Sequence, residues 1–250
     1  MNKKTDKRNA LIDLELIAYA HAAKADTTGT ELRALVEMVQ WQIHAICNRC
    51  ATQDYHLVVS GRDNFRKVLY PDYKAGRPEK PPLYVPLMKE LKTLFPERWR
   101  MHDQLEADDL LGIMMTNGRV PGPICCSIDK DMLGVPGYHY NWNKDEWPGY
   151  VSQEQADHQW LKQLLMGDST DNIQGMKGIG EKKAEKLIED NEYSSSSIPQ
   201  VAKFIYEKEK VSLDDYYKCL YLVSIWRNPM PEELLDNELI EQIVKTIPSL

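Results

Sequence analysis

The chain has 250 residues, 42% apolar and 28% charged, an ordinary globular composition long enough for one large domain or two smaller ones. It holds no run of about 18 apolar residues for a membrane span, and Met1 to Arg8 lead into an apolar run without a signal-peptide pattern, so a cytosolic protein with no membrane partner is expected. The net charge of −7 does not exclude nucleic acid, because divalent ions would cancel clustered acids and leave the placement of the 31 Lys and Arg to decide.

Ala10 to Leu14 read as a short buried strand carrying Asp13, followed by a helix-like run from Leu16 to Ala23. Apolar residues at helical spacing (Leu32, Leu35, Val36, Val39, Ile43, Ile46) predict a helix over Thr30 to Arg49. Cys47 and Cys50 have CxxC spacing near its end, but no second Cys or His pair accompanies them. The count of five cysteines is odd, so reduced structural thiols are expected. Leu57 to Gly61 predict a second strand, Leu87 to Leu94 and Glu106 to Met115 two helices, and Ile124 to Ile128 a third buried strand ending in Asp129. Strands alternating with helices indicate an α/β domain with a mainly parallel sheet, where ligands bind beyond the carboxyl ends of the strands. Asp13 and Asp129 both fall there. Ser152-Gln153-Glu154-Gln155 resembles a capping box opening a helix to Met166 that Gly167 stops. A boundary is therefore expected near residue 151, with a helical region over 152–250 in which Ser194 to Ser197 form a loop.

Three acidic clusters lie between Leu105 and Gly180. Glu106, Asp108 and Asp109 open a helix, where acids also complement the dipole; Glu106 and Asp109 share a face and Asp108 lies to one side, so the trio can span two metal positions. Asp129 and Asp131 follow a buried strand and point the same way, although a polar turn is an equal alternative. Asp168 and Asp171 follow Gly167 and precede Gly175-Met176-Lys177-Gly178-Ile179-Gly180. In that segment, which Gly175 opens, Gly178 and Gly180 let backbone amides approach a phosphate, and Lys182, Lys183 and Lys186 add charge at the start of the next helix, in a concentration of lysines that includes Lys177. A solvated surface loop is the competing explanation, which leaves the glycines unexplained. Tyr73-Lys74-Ala75-Gly76-Arg77 offers a point charge, a bidentate fork and a ring able to stack on an unpaired base.

Together Leu11-Ile12-Asp13, Phe65-Arg66-Lys67, Tyr73 to Arg77, Leu105 to Asp109, Ser127 to Asp131 and Gly167 to Gly180 resemble the flap-endonuclease and 5′→3′ exonuclease family, and within it the compact stand-alone bacteriophage exonucleases. The resemblance implies a PIN-like α/β nuclease domain and a helix-hairpin-helix type motif that holds duplex DNA. It implies two Mg²⁺ or Mn²⁺ ions on Asp13, Glu106, Asp108, Asp109, Asp129, Asp131, Asp168 and Asp171. Lys74 and Arg77 would act on the scissile phosphate with Tyr73 beside the terminal base, Arg66 and Lys67 and the hairpin would meet DNA, and a K⁺ would sit on hairpin carbonyls. The acid the family often carries after the second strand is replaced by Ser60-Gly61, with Asp63 the nearest candidate. Leu14-Glu15 stands where a small residue is usual, and the short Pro-rich stretch between Arg77 and Glu106 implies a short or incomplete helical arch.

The expected activity is hydrolysis at or near a 5′ end of duplex DNA or of a 5′ single-stranded flap, by a monomer in the cytoplasm, that of the host for a bacteriophage protein. The alternatives are an RNase H-like 5′ nuclease acting on RNA·DNA hybrids and a non-catalytic DNA-binding accessory of the same fold.

Overall fold

In the computed structural model, which describes residues 7–191 and 197–247, the first apolar run is strand β1 (Asn9–Asp13), buried at every position. A strand buried at every position has both faces covered, and this one is central. Asp13 caps α1 (Leu14–Thr28) by accepting a hydrogen bond from the Leu16 amide at 3.4 Å, so the helix starts directly after the strand and outruns the expected Leu16–Ala23 segment. Helix α2 (Leu32–Arg49) buries the stripe Leu35, Val39, Ile43 and Ile46 that its spacing predicts.

Strand β2 (Tyr55–Val58) ends before the expected Leu57–Gly61 segment does. By Gly61 the chain is pressed onto the loop 102–105. The Gly61 amide donates to the Leu105 carbonyl at 2.7 Å, and a Cβ there would lie 2.1 Å from the carbonyl oxygens of His102 and Asp103. There follow α3 (Phe65–Leu69), α4 (Tyr84–Leu94), β3 (Trp99–Arg100), α5 (Ala107–Thr116), β4 (Pro123–Cys126), a 3-10 turn over Lys130–Gly134, β5 (Gly137–Tyr140) and β6 (Gly149–Val151). The sheet order is β3-β2-β1-β4-β5-β6, parallel except for β6. Strand order reverses between β1 and β4, and such a switch point leaves a crevice at the carboxyl ends. Helix α4 buries Tyr84, Leu87 and Leu91 in one core with α1 and α2, so no helical arch stands over that crevice among the described residues.

The capping box is present. Ser152 Oγ accepts from the Gln155 amide at 3.1 Å and Gln155 Oε1 from the Ser152 amide at 2.9 Å, opening α6 (Gln153–Met166). Beyond Gly167 a small antiparallel hairpin of β7 (Gly167–Asp168) and β8 (Ile173–Gln174) leads to α7 (Glu181–Glu189), α8 (Ile198–Lys208), α9 (Leu213–Val223), α10 (Glu232–Leu235) and α11 (Glu238–Thr246). Of the expected serine loop only Ser197 lies within the described residues, where its hydroxyl caps α8. Trp160, Leu164, Ile205, Tyr206, Tyr216 and Leu220 form a helical core apart from those of the sheet.

The chain beyond Asp190, which carries no motif, returns to the sheet domain. Trp226 is fully buried among Phe65, Leu105, Ile113, Ile240 and Ile243. Its carbonyl crosses α5 so closely that a Cβ on Gly112 would lie 2.3 Å away, which is why glycine stands there. The described cysteines Cys47, Cys50, Cys125, Cys126 and Cys219 are buried free thiols, with Cys50 and Cys126 sulfurs 3.5 Å apart, as structural thiols should be.

Candidate active site

A cleft of about 1360 Å³ opens beyond the carboxyl ends of β1, β2 and β4 and is closed on its far side by the segment from Gly167 to Glu181. Two serines at strand ends organise it. Ser127, just past β4, donates to Asp13 Oδ2 at 3.0 Å and accepts from the Asp129 amide at 3.2 Å, binding the ends of β1 and β4 together. Ser60, just past β2, donates to Glu15 Oε2 at 2.7 Å and accepts from the Ala107 amide at 3.1 Å, fixing the start of α5. Asp129 then accepts from the Asp131 amide at 2.8 Å, and Asp168 from the Thr170 amide at 2.8 Å.

The acids divide by partner. Glu106 receives Lys74 Nζ at 2.5 Å, the Tyr73 hydroxyl at 2.7 Å and Arg66 Nη1 at 3.3 Å. Asp171 receives Arg77 through Nη2 at 2.6 Å and Nε at 2.8 Å, with Lys74 Nζ at 3.6 Å. Asp13, Asp108, Asp129, Asp131 and Asp168 line the same cleft with no Lys or Arg at ion-pair distance among the described residues. Crowding has the expected electrostatic result. Burial, with the charges of Glu15 and Asp129, pushes the Asp13 carboxyl up to about 7. Burial pushes Asp108 well above its ordinary value, with Asp13, Asp129 and Glu106 adding to the shift. Burial and Asp129 push Asp131 up to about 6. Burial raises Glu106 too, but Arg66 and Lys74 together outweigh it and hold this carboxyl low.

Several expected site residues stand elsewhere. Asp109 is fully buried in a bidentate pair with Arg66, itself 3% exposed; Arg66 Nη1 and Nη2 reach Asp109 at 2.5 and 2.8 Å, and the amides of Glu106 and Trp226 fill its remaining positions at 3.3 and 3.4 Å. Asp109 therefore has no face for a metal, and Arg66 none for DNA. Arg66 also donates to the carbonyls of Leu222 and Ser224, at 2.9 and 2.8 Å, tying the returning chain to the base of the cleft. Tyr73 is only 4% exposed with its hydroxyl on Glu106, so its ring packs with Ile173, Cys219 and Leu222 and cannot stack on a base. Asp63 is exposed outside the cleft lining and is not a ligand there. Lys67 is exposed and lines the cleft.

The far wall is clipped to the Tyr73–Arg77 loop. The Lys74 amide donates to the Asp171 carbonyl at 3.1 Å and Asn172 Nδ2 to the Asp72 carbonyl at 3.2 Å, with Lys74 and Asn172 both left-handed at φ 59° and 60°. Gly175 serves packing rather than a ligand, since a Cβ there would lie 2.2 Å from the Met166 carbonyl carbon. Lys177 and Gly178 are exposed in the cleft lining ahead of α7, and Gly180, exposed outside that lining, is the residue before the helix. Lys182 and Lys183 are exposed on its first turn, Lys183 donating to the Gly178 carbonyl at 2.9 Å.

A parallel sheet whose switch point gathers carboxylates opposite Lys74 and Arg77 offers positions for cations beside groups suited to a phosphate. The signature described as 5′-3′ exonuclease, N-terminal resolvase-like domain, matches residues 9–160, more than half of the sequence, and the chain belongs to that family. Among curated relatives, DNA polymerase I of Geobacillus stearothermophilus is 30% identical over 74% of the chain and 24% of its own length. The thermostable DNA polymerase I of Thermus aquaticus is 29% identical over 91% of the chain and 29% of its own. The chain thus spans less than a third of these relatives. Of solved structures, a zinc-bound T5 5′-exonuclease superposes with a TM-score of 0.64 at 15% identity, covering 95% of this chain and 97% of that one. A bacteriophage T5 flap endonuclease complex with DNA and metal ions gives 0.62 at 15%, covering 96% and 97%. These likenesses show the fold.

Proposed function

We propose that the chain hydrolyses DNA phosphodiesters at or near a 5′ end with two Mg²⁺ or Mn²⁺ ions, residues 1–151 forming the nuclease domain and 152–250 the part that holds duplex. The observation that carries this reading is the set Asp13, Asp108, Asp129, Asp131 and Asp168, crowded into one cleft with no Lys or Arg at ion-pair distance among the described residues, so that their repulsion calls for added cations. An all-oxygen donor set suits hard divalent ions. Among the described residues no three of these side chains form a group that could by itself hold a metal ion. Bound there, such ions would lower the pKa of an attacking water and balance charge on the attacking and leaving oxygens.

The chain's own groups do the rest. Lys74 and Arg77 hold the scissile phosphate once a phosphate displaces Glu106 and Asp171 from them. Tyr73 keeps Glu106 in place. The segment holding Lys177, Gly178, Gly180, Lys182 and Lys183, read as a helix-hairpin-helix type element with a K⁺ on its carbonyls, holds the duplex backbone through amides and charge. With DNA labelled at the 5′ or the 3′ end, short product should appear from the 5′ label alone and only with Mg²⁺ or Mn²⁺. No cleavage with either ion would end this reading. The same assay on flap and RNA·DNA substrates ranks them.

Metal binding should depend on pH. A carboxyl raised from 3.8 to about 7, as in Asp13, or to about 6, as in Asp131, keeps a proton in the metal-free fold that the unfolded chain has released. Folding stability from these groups therefore falls as pH rises from about 4 to about 7. Divalent ions need the deprotonated forms, so Mn²⁺ affinity should climb over that range and binding at pH 6 should release protons. Titration calorimetry in buffers of different ionisation enthalpy measures both; a flat affinity from pH 5 to 7 would contradict the assignment.

A further inference from the structure

The cleft holds a carboxylate outside all three acidic clusters. Glu15 lies in the first turn of α1, half-buried in the cleft lining. Its Oε2 accepts from Ser60 at 2.7 Å and its Oε1 from the Tyr84 hydroxyl at 3.2 Å. It has no Lys or Arg at ion-pair distance among the described residues. Each oxygen has two acceptor positions, so two hydroxyl donors leave acceptor capacity on both.

Topology makes this placement informative. The end of β1 delivers Asp13 and the segment after β4 delivers Asp129, but β2, the other neighbour of β1, is followed by an uncharged serine. Glu15 reaches from α1 to that serine, whose oxygen also accepts from the Ala107 amide and so sits directly before Asp108. The carboxylate is thus supplied to the β2 side of the crevice from a helix instead of from the strand.

We propose that Glu15 is the β2-side carboxylate of the metal cleft, taking a divalent ion, or a water of that ion, beside Asp13. This rests on the metal-dependent reading above. If Glu15 served only to anchor Ser60 and Tyr84, an uncharged side chain of the same shape that can hydrogen-bond both hydroxyls would serve equally.

The test is Mn²⁺ titration of the full chain without DNA, followed by calorimetry or by the electron paramagnetic resonance of free Mn²⁺. Glu15→Gln keeps an oxygen to accept from Ser60 and turns its amide NH₂ to donate to the Tyr84 hydroxyl oxygen, so it should keep the melting temperature, yet weaken Mn²⁺ binding about tenfold or more. Adding Ser60→Asp to Glu15→Gln, which moves the carboxylate onto the end of β2, should recover most of that loss. Wild-type affinity in Glu15→Gln, with binding lost in Asp13→Asn, would overturn the inference and leave the site reading standing. A loss in Glu15→Gln that Ser60→Asp does not recover would also overturn it. Wild-type affinity in both Glu15→Gln and Asp13→Asn would remove the site reading itself.

Discussion

Asp129→Ala is expected to abolish cleavage in Mg²⁺ while sparing the fold and the binding of DNA. The carboxylate lies on the segment between β4 and the Lys130–Gly134 turn, in the cleft, with no basic partner among the described residues. Its only hydrogen bond as acceptor among the described residues is from the Asp131 amide, a cap worth about 1 kcal/mol. Charge stabilisation of the reaction by such a group is worth about 3 to 4 kcal/mol, so kcat should fall by a factor of several hundred or more. Duplex affinity measured in Ca²⁺ should change less than about threefold, because the proposed function gives the backbone contacts to the hairpin lysines rather than to this acid. Wild-type turnover in the variant would remove Asp129 from the site.

Asp109→Ala should do the opposite. It leaves the Arg66 guanidinium, 3% exposed and held well above its ordinary range by Asp109, buried without its main counter-charge. Breaking such a pair from one side costs about 3 to 5 kcal/mol, and for a chain of this size that lowers the melting temperature by roughly 10 °C. Below that temperature the folded variant should bind Mn²⁺ as the wild type does. Loss of Mn²⁺ binding with an unchanged melting temperature would return Asp109 to the metal ligands.

These two aspartates show where reading the sequence succeeds and where it stops. Asp13 and Asp129 were legible because a fully apolar run ending in an acid is a local pattern, and parallel-sheet topology then dictates that such ends converge. Asp168 was legible from the glycine that stops α6 ahead of it. Helical spacing correctly gave Asp108 a different face from Asp109. It could not say which face meets the cleft, because that is decided by Arg66, 43 positions earlier, and by the Trp226 amide, 117 positions later. Tyr73 was misread for the same reason: its burial against Ile173 and Leu222 depends on the far half of the chain. Ser60 in place of an acid was visible as a departure. That Glu15 fills the gap required knowing that α1 starts directly at Asp13 and turns its first residues toward β2.

The ties from Arg66 to the carbonyls of Leu222 and Ser224 bear on how the protein acquires its shape. They join residues 156 and 158 positions apart, and both are buried. Contacts of such separation require closing a long loop before they return any stabilisation, which slows folding and favours their forming late. Until the segment through Trp226 docks, Arg66 and Asp109 must share their pocket with solvent.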